Sequence, residues 1–234
     1  MRLPVFALSC LFACAFAGGA HAACVAHSAP AQTHLVELYT SEGCSSCPPA
    51  DAWLRGMRAG ARVQPLEWHV DYWDSLGWPD RFDDARYTAR QRRLAAHGAS
   101  RIIYTPEVAL DGREWRGWER GALPANPPSA WNLALSVEPG APLRVALRST
   151  PAPAAYRAWF VVTEDGLTTS VRAGENKGAV LRHDHTVRAL AGPLPLDDAE
   201  AALRLPANLQ PARSAVVAFV QDARKKRFSL AADY

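Results

Sequence analysis

The chain has 234 residues, 49% of them apolar and 21% charged, with 26 Lys and Arg set against 23 Asp and Glu. That apolar content suffices for one or two domains with a buried core. The near-even charge balance excludes nucleic acid and anionic membrane surfaces as electrostatically driven partners.

Met1-Arg2, an apolar run from Leu3 to Ala17 and Ala20-His21-Ala22 form a charged start, a hydrophobic stretch and a small-x-small cleavage pattern. Residues 1–22 read as a signal peptide cleaved near Ala22. A secreted or periplasmic protein is expected, with no stable membrane insertion after signal removal, since the run is short for a bilayer span. Acylation of Cys24 is the rival reading, but His21-Ala22-Ala23 lacks the bulky aliphatic residue of such sites. Cys10 and Cys14 depart with the leader, leaving Cys24, Cys44 and Cys47. Outside the cytosol a C-x-x-C pair is oxidised unless something reduces it. Cys24, in an alanine-rich lead expected to be extended, is free, lipidated or paired between chains.

His34 to Tyr39 is the first expected strand, apolar and rich in strand formers. Ser41, Glu42 and Gly43 break it, and Cys44-Ser45-Ser46-Cys47 leads into Pro48-Pro49, prolines suited to a first helical turn. Cys44 therefore falls at a helix N-terminus, where partial positive charge favours thiolate over thiol. The helix runs from Ala50 to Ala59 by its apolar spacing, with Gly60 as its stop. Val63 to Val70 is a second strand, in which Pro65 argues for a start or edge position. Strand, helix and strand at this spacing predict a parallel β-α-β unit and an α/β domain.

Three aromatics (Tyr72, Trp73, Trp78) in the following loop need apolar surface to cover. Arg81 to His97 is a basic helix whose Arg90, Arg92 and Arg93 read as a solvated face. From Ile102 an apolar run meets Thr105-Pro106, where a proline directly before a core strand suits a cis bond, and resumes as Val108-Ala109-Leu110 to Asp111-Gly112, a hairpin signal returning through Arg113 to Gly117. Pro124, Asn126, Pro127 and Pro128 mark a boundary. Beyond it Leu133–Val137, Leu143–Arg148, Tyr156–Thr163, Thr168–Val171, Val180–Val187, Ala215–Val220 and Arg227–Leu230 alternate with turn residues, as in a small antiparallel sandwich. The expected division is 33–122 for the α/β unit and 130–232 for the β-rich part.

Three uses of Cys44 and Cys47 stay open on the residues alone: a redox dithiol, a soft-metal site, or a structural disulfide. So tight a loop gives little entropic stabilisation. A full zinc site lacks cysteines, whereas copper held by Cys44, Cys47 and His69 matches thiolate softness. His69 and Asp71 share a face at a strand's ligand-facing end and read as a hydrogen-bonded pair organising the aromatic loop. His183 and His185 share a face of an expected strand and read as surface residues, with metal binding as the rival reading.

The run Val36 to Asp51, with His69-Val70-Asp71-Tyr72-Trp73-Asp74, Gly77-Trp78, Arg90-Gln91 and Tyr104-Thr105-Pro106, resembles the domain of unknown function family numbered 1223. The resemblance continues more weakly through Gly174-Glu175-Asn176-Lys177-Gly178 and Val220-Gln221. It implies an exported protein with a thioredoxin-like domain followed by a β-rich C-terminal subdomain, and no established activity. By likeness to thioredoxins, Glu37 is the candidate buried acid near Cys47, or else a strand-end carboxylate in water. Thr105-Pro106 matches the motif that pairs with an extended substrate. The expected chemistry is thiol–disulfide exchange with protein thiols or disulfides as partners and no organic cofactor. Cys44 would be an exposed nucleophile, Cys47 the resolving thiol, and Ser45 and Ser46 donors to the thiolate. The rival is a non-catalytic module that binds a metal ion or a partner protein.

Overall fold

The computed structural model describes residues 23–97, 102–223 and 228–233. The expected leader, 1–22, lies outside them. In chain order the elements are β1 (Cys24–His27), β2 (His34–Thr40), α1 (Pro48–Arg55), β3 (Val63–His69), α2 (Ala85–His97), β4 (Glu107–Leu110) and β5 (Arg113–Glu114). They continue as β6 (Asn132–Glu138), β7 (Leu143–Thr150), β8 (Tyr156–Glu164), β9 (Leu167–Ser170) and β10 (Val180–His183). The last are β11 (Thr186–Pro195), β12 (Glu200–Leu203), β13 (Ser214–Asp222) and β14 (Phe228–Asp233).

β2 and β3 pair in parallel from His34↔Val63 to Thr40↔His69. β4 pairs antiparallel with the other edge of β2. The Asp111-Gly112 turn behaves as its residues demand, with φ of 49° and 74°. The Asp111 carboxylate secures it by accepting the Leu35 N–H at 2.9 Å and pairing with His34 Nδ1 at 2.7 Å. α1 ends at Arg55, short of the expected Ala59, because Gly56 is the poorer helix former and comes first. α2 begins at Ala85 rather than Arg81, where Asp84 caps it by accepting the Arg86 N–H at 2.8 Å. Pro65 is not at an edge. It pairs with Val36, and the far side of β3 meets β11 only at Thr186↔Glu67, so no ladder bond is lost at the proline.

The expected boundary near residue 124 does not divide the sheets. A single eight-stranded sheet runs β14-β13-β8-β11-β3-β2-β4-β5, so strands from the second half extend the first half's sheet. The rest of the second half supplies the β9–β10 hairpin and three strands of a four-stranded antiparallel sheet, β1-β6-β7-β12. The run expected as one strand over Val180–Val187 breaks at His185, whose φ is 60°. The alanine-rich lead also joins a sheet, since Cys24, a free thiol, pairs with Val137.

Register assigns the faces. α1 packs on Val36, Leu38, Val63 and Val108. α2 covers the opposite face through Tyr87 and Leu94 on Leu35, Tyr39, Leu66 and Trp68. On the α1 side, farther along the sheet, Ala158, Phe160, Val162 and Ala218 pack against Leu133, Leu135, Val145 and Leu147 of the smaller sheet. Between α1 and that second core lies the β9–β10 hairpin, and beneath the hairpin the sheet presents polar side chains. Among the described residues no helix is long and apolar enough to cross a membrane.

Candidate functional site

The end of β2 and the start of α1 set the sulfur geometry. Cys44 N–H bonds to the Ser41 carbonyl at 3.1 Å and Cys47 N–H to that of Cys44 at 3.2 Å, closing two successive turns. Cys47 is the N-cap residue of α1, followed at once by Pro48. Cys44 and Cys47 form a disulfide with their Cα atoms 5.4 Å apart. Thr105–Pro106 is cis, as the sequence suggested. The Tyr39↔Glu107 pairing places Pro106 beside the end of β2. Trp73 bridges the two segments: its indole N–H donates to Thr105 Oγ1 at 2.8 Å, and its Cβ packs on Gly43, where an added Cβ would stand only 3.1 Å away.

The expectation of an exposed nucleophile is corrected. Cys44 and Cys47 each have 0% of their surface exposed. Part of the cover comes from the loop between β9 and β10. Asn176 Nδ2 donates to the carbonyls of Glu42 and Cys44, both at 2.9 Å. Glu175 Oε2 accepts the Ser45 N–H at 3.1 Å and the Ser45 hydroxyl at 2.7 Å. Those bonds hold the Glu175 carboxyl below its usual range. Ser45 thus directs both donors to Glu175 rather than to sulfur, while Ser46 Oγ lies 3.4 Å from Cys44 Sγ. Gly174 permits the approach of the loop, with φ of 70° and Trp78 Cβ 3.0 Å from where its own Cβ would stand.

Glu37 is fully buried, but on the α2 face. It pairs with Leu66 and Ala109 in register and accepts Arg90 Nε at 2.6 Å, so the structure does not bring it to Cys47. Arg90 in turn is not solvated: it is 3% exposed and lies over the rings of Trp159 and Phe219 at 4.6 and 4.9 Å. Arg92 and Arg93 are exposed as expected. The carboxyl on the correct face is Asp51, one helical turn beyond Cys47 and buried against the sheet, accepting the Thr40 hydroxyl at 2.6 Å. Burial, with Glu67 nearby, pushes its pKa up to about 7, against the opposing influence of His183, Thr40 and His69. The signal in the sequence was its spacing: Asp51 lies on the helix stripe of Cys47, Ala50 and Leu54, which marks it as inward-facing.

Beneath the hairpin lies a polar cluster that the sequence divided into unrelated pieces. His69 pairs not with Asp71 but with Asp80, Nδ1 to Oδ2 at 2.6 Å, and with Glu67, Nε2 to Oε2 at 3.2 Å. Asp71 instead accepts the Thr88 hydroxyl. With both nitrogens of His69 directed at carboxylates, the set Cys44, Cys47 and His69 is not assembled. His183 is buried rather than surface-exposed, with Nδ1 3.2 Å from Glu67 Oε1 and Nε2 3.6 Å from Glu42 Oε1. His185 is also buried, against the Met57 carbonyl. Burial disfavours charge on His69 and His183, but the carboxylates prevail and raise both, His183 to about 9.

A family profile described as "Protein of unknown function (DUF1223)" matches residues 35–221. No curated protein matches the chain in sequence. Among solved structures, a protein from Agrobacterium tumefaciens, AGR_C_4864, is similar at 25% identity and a TM-score of 0.56, over 87% of this chain and 93% of that one. HBP35 of Porphyromonas gingivalis is similar in fold at 14% identity and a TM-score of 0.60, over 88% of this chain and 76% of that one.

Proposed function

We propose that this chain, which belongs to the DUF1223 family, is an exported thioredoxin-like protein that performs thiol–disulfide exchange through Cys44 and Cys47, with the β9–β10 loop as a cover that must lift first. One observation carries the reading: the disulfide lies at the start of α1, and the loop over it is held at that turn by side-chain hydrogen bonds from Glu175 and Asn176. Such bonds exchange readily with water and make a separable lid. The thioredoxin-like assignment is supported by the parallel β2–β3 pair around α1, the antiparallel β4, and the cis proline that opens it. Export is supported by the leader pattern and by a disulfide that needs an oxidising compartment.

With the cover lifted and the pair reduced, Cys44 thiolate attacks one sulfur of a partner disulfide, and the other partner sulfur departs as thiolate and takes a proton. Cys47 gives its proton to a base, for which Asp51, one turn along α1, is the candidate, and attacks Cys44 sulfur. The mixed disulfide breaks, Cys44–Cys47 forms, and the partner leaves as a dithiol with two electrons and two protons gained. The reverse sequence oxidises a partner dithiol. Pro48 and Pro49 have no N–H to offer, so it is the positive end of the α1 dipole that favours the thiolate. Thr105-Pro106, partly exposed beside the end of β2, offers backbone to an extended partner segment.

The test is to trap the first intermediate. A Cys47→Ser chain incubated with a denatured, disulfide-bonded protein is expected to accumulate a mixed disulfide at Cys44. Alkylation of the reduced wild type across pH is expected to give a Cys44 pKa below that of free cysteine, about 8.5. No trapped species together with an unshifted pKa overturns the proposal in favour of a binding module.

A further inference from the structure

The polar cluster under the hairpin contributes no reacting group to the exchange steps, yet Glu42, Glu67, His69, Asp80 and His183 are all buried in it. Glu67, His69 and His183 bring one donor atom each to within 4.8 Å of the others, and all three are buried. They come from distant parts of the chain: Glu67 and His69 alternate on β3, and His183 ends β10. His69 points Nδ1 at Asp80, which leaves Nε2 aimed at Glu67 Oε2, 3.2 Å away. His183 points Nε2 toward Glu42 and Nδ1 at Glu67 Oε1, also 3.2 Å away. A carboxylate behind an imidazole, fixing its tautomer and raising its basicity, is the usual outer-shell support of a metal-bound histidine. His69 has one in Asp80, and His183 has Glu42 3.6 Å behind it, not yet in hydrogen-bond contact.

A second observation concerns atoms other than the three donor atoms. His183 Nε2 and Glu42 Oε1 are fully buried, lie 3.6 Å apart, and make no hydrogen bond. The fold has placed Glu42, Glu67 and Asp80 together out of water, where carboxylates need compensating charge. One dication between the rings and Glu67 supplies it from a single centre, drawing His183 onto a fixed axis. The spacing suits this. Nitrogen and oxygen donors bonded at about 2.0–2.1 Å with angles of about 90–110° lie about 2.8–3.4 Å apart, which brackets both nitrogen–oxygen separations.

We propose that Glu67, His69 and His183 form a buried site for one divalent transition cation of borderline softness, zinc in the first instance. Its two nitrogens and carboxylate oxygens are the donor set such an ion prefers over calcium or magnesium. The ion would pin the β9–β10 hairpin to β3, and so fix the base of the loop that covers Cys44. The site involves no thiolate.

The probe is Zn²⁺ alone, added while the chelator-treated mature chain refolds with its disulfide intact, followed by dialysis and elemental analysis. One equivalent retained per chain is expected, with ¹⁵N shifts on loading confined to His69 Nε2 and His183 Nδ1. The Cys44→Ser/Cys47→Ser chain should retain the same equivalent and His183→Ala should retain none. No retained zinc in the wild type overturns the proposal, as does retention with no change at those two nitrogens. The nitrogen spectrum decides the matter even if His183→Ala fails to fold.

Discussion

Removing Asn176 tests whether the cover controls the disulfide. Asn176→Ala deletes two hydrogen bonds of 2.9 Å, to the carbonyls of Glu42 and Cys44, and leaves the disulfide and α1 untouched. A net contribution of about 0.5–1.5 kcal/mol per bond gives about 1–3 kcal/mol of cover stability. At about 1.4 kcal/mol per factor of ten, the open population rises by roughly 5- to 150-fold. Where opening and closing outpace the chemistry, the rate of reduction by dithiothreitol rises by that same factor. The assay is acid quench and alkylation, with the reduced fraction counted by mass and Lys177→Ala, exposed on the same loop, as the control. An Asn176→Ala rate within a factor of two of wild type, with thermal stability unchanged, refutes the argument that this loop is the gate.

Glu37→Gln should destabilise the fold by about 3–5 kcal/mol in urea, because it removes the buried carboxylate that balances the Arg90 charge; replacing both Glu37 and Arg90 with apolar residues of similar volume should recover most of that loss. Asp51 has a folded pKa of about 7 against an ordinary value of 3.8, so the folded chain holds this proton to higher pH than the unfolded chain does. Its contribution is complete below the unfolded value and lost as pH rises through about 7, with a ceiling of about 4 kcal/mol. Urea unfolding of wild type and Asp51→Asn should therefore diverge as pH rises from acid to neutral, with the variant gaining on the wild type; a pH-independent difference contradicts the assignment. Gly174→Val should loosen the cover, since a side chain there meets both a left-handed backbone and Trp78. Dithiothreitol reduction faster than wild type, with the melting temperature lowered by only a few degrees, is the expected result.

Local rules were enough for the elements that flank the site. The apolar run of β2, the prolines after Cys47, the Asp111-Gly112 turn and the proline before β4 each dictate their own backbone, and each stands where the sequence put it. Residues whose roles depend on which face of a strand meets what were harder to read. Glu37 and Asp51 are both acids near Cys47 in sequence, and only the direction of β2 side chains sends one to Arg90 and the other to Thr40. His183 reads as a surface residue from its alternating strand and is buried because its hairpin folds back over β3, a contact across more than a hundred residues.

The sequence by itself determined that a C-x-x-C would open a helix, that a proline-bearing strand would follow, and that strands would fill the second half, because helix starts, turns and strand periods are written in neighbouring residues. Only the tertiary structure decided that the second half continues the first half's sheet, closes a loop over Cys44 and gathers Glu42, Glu67, His69, Asp80 and His183 into one enclosure. Those outcomes rest on strand order and register between distant segments, where many pairings satisfy the same local preferences and the best burial of the whole chain selects one.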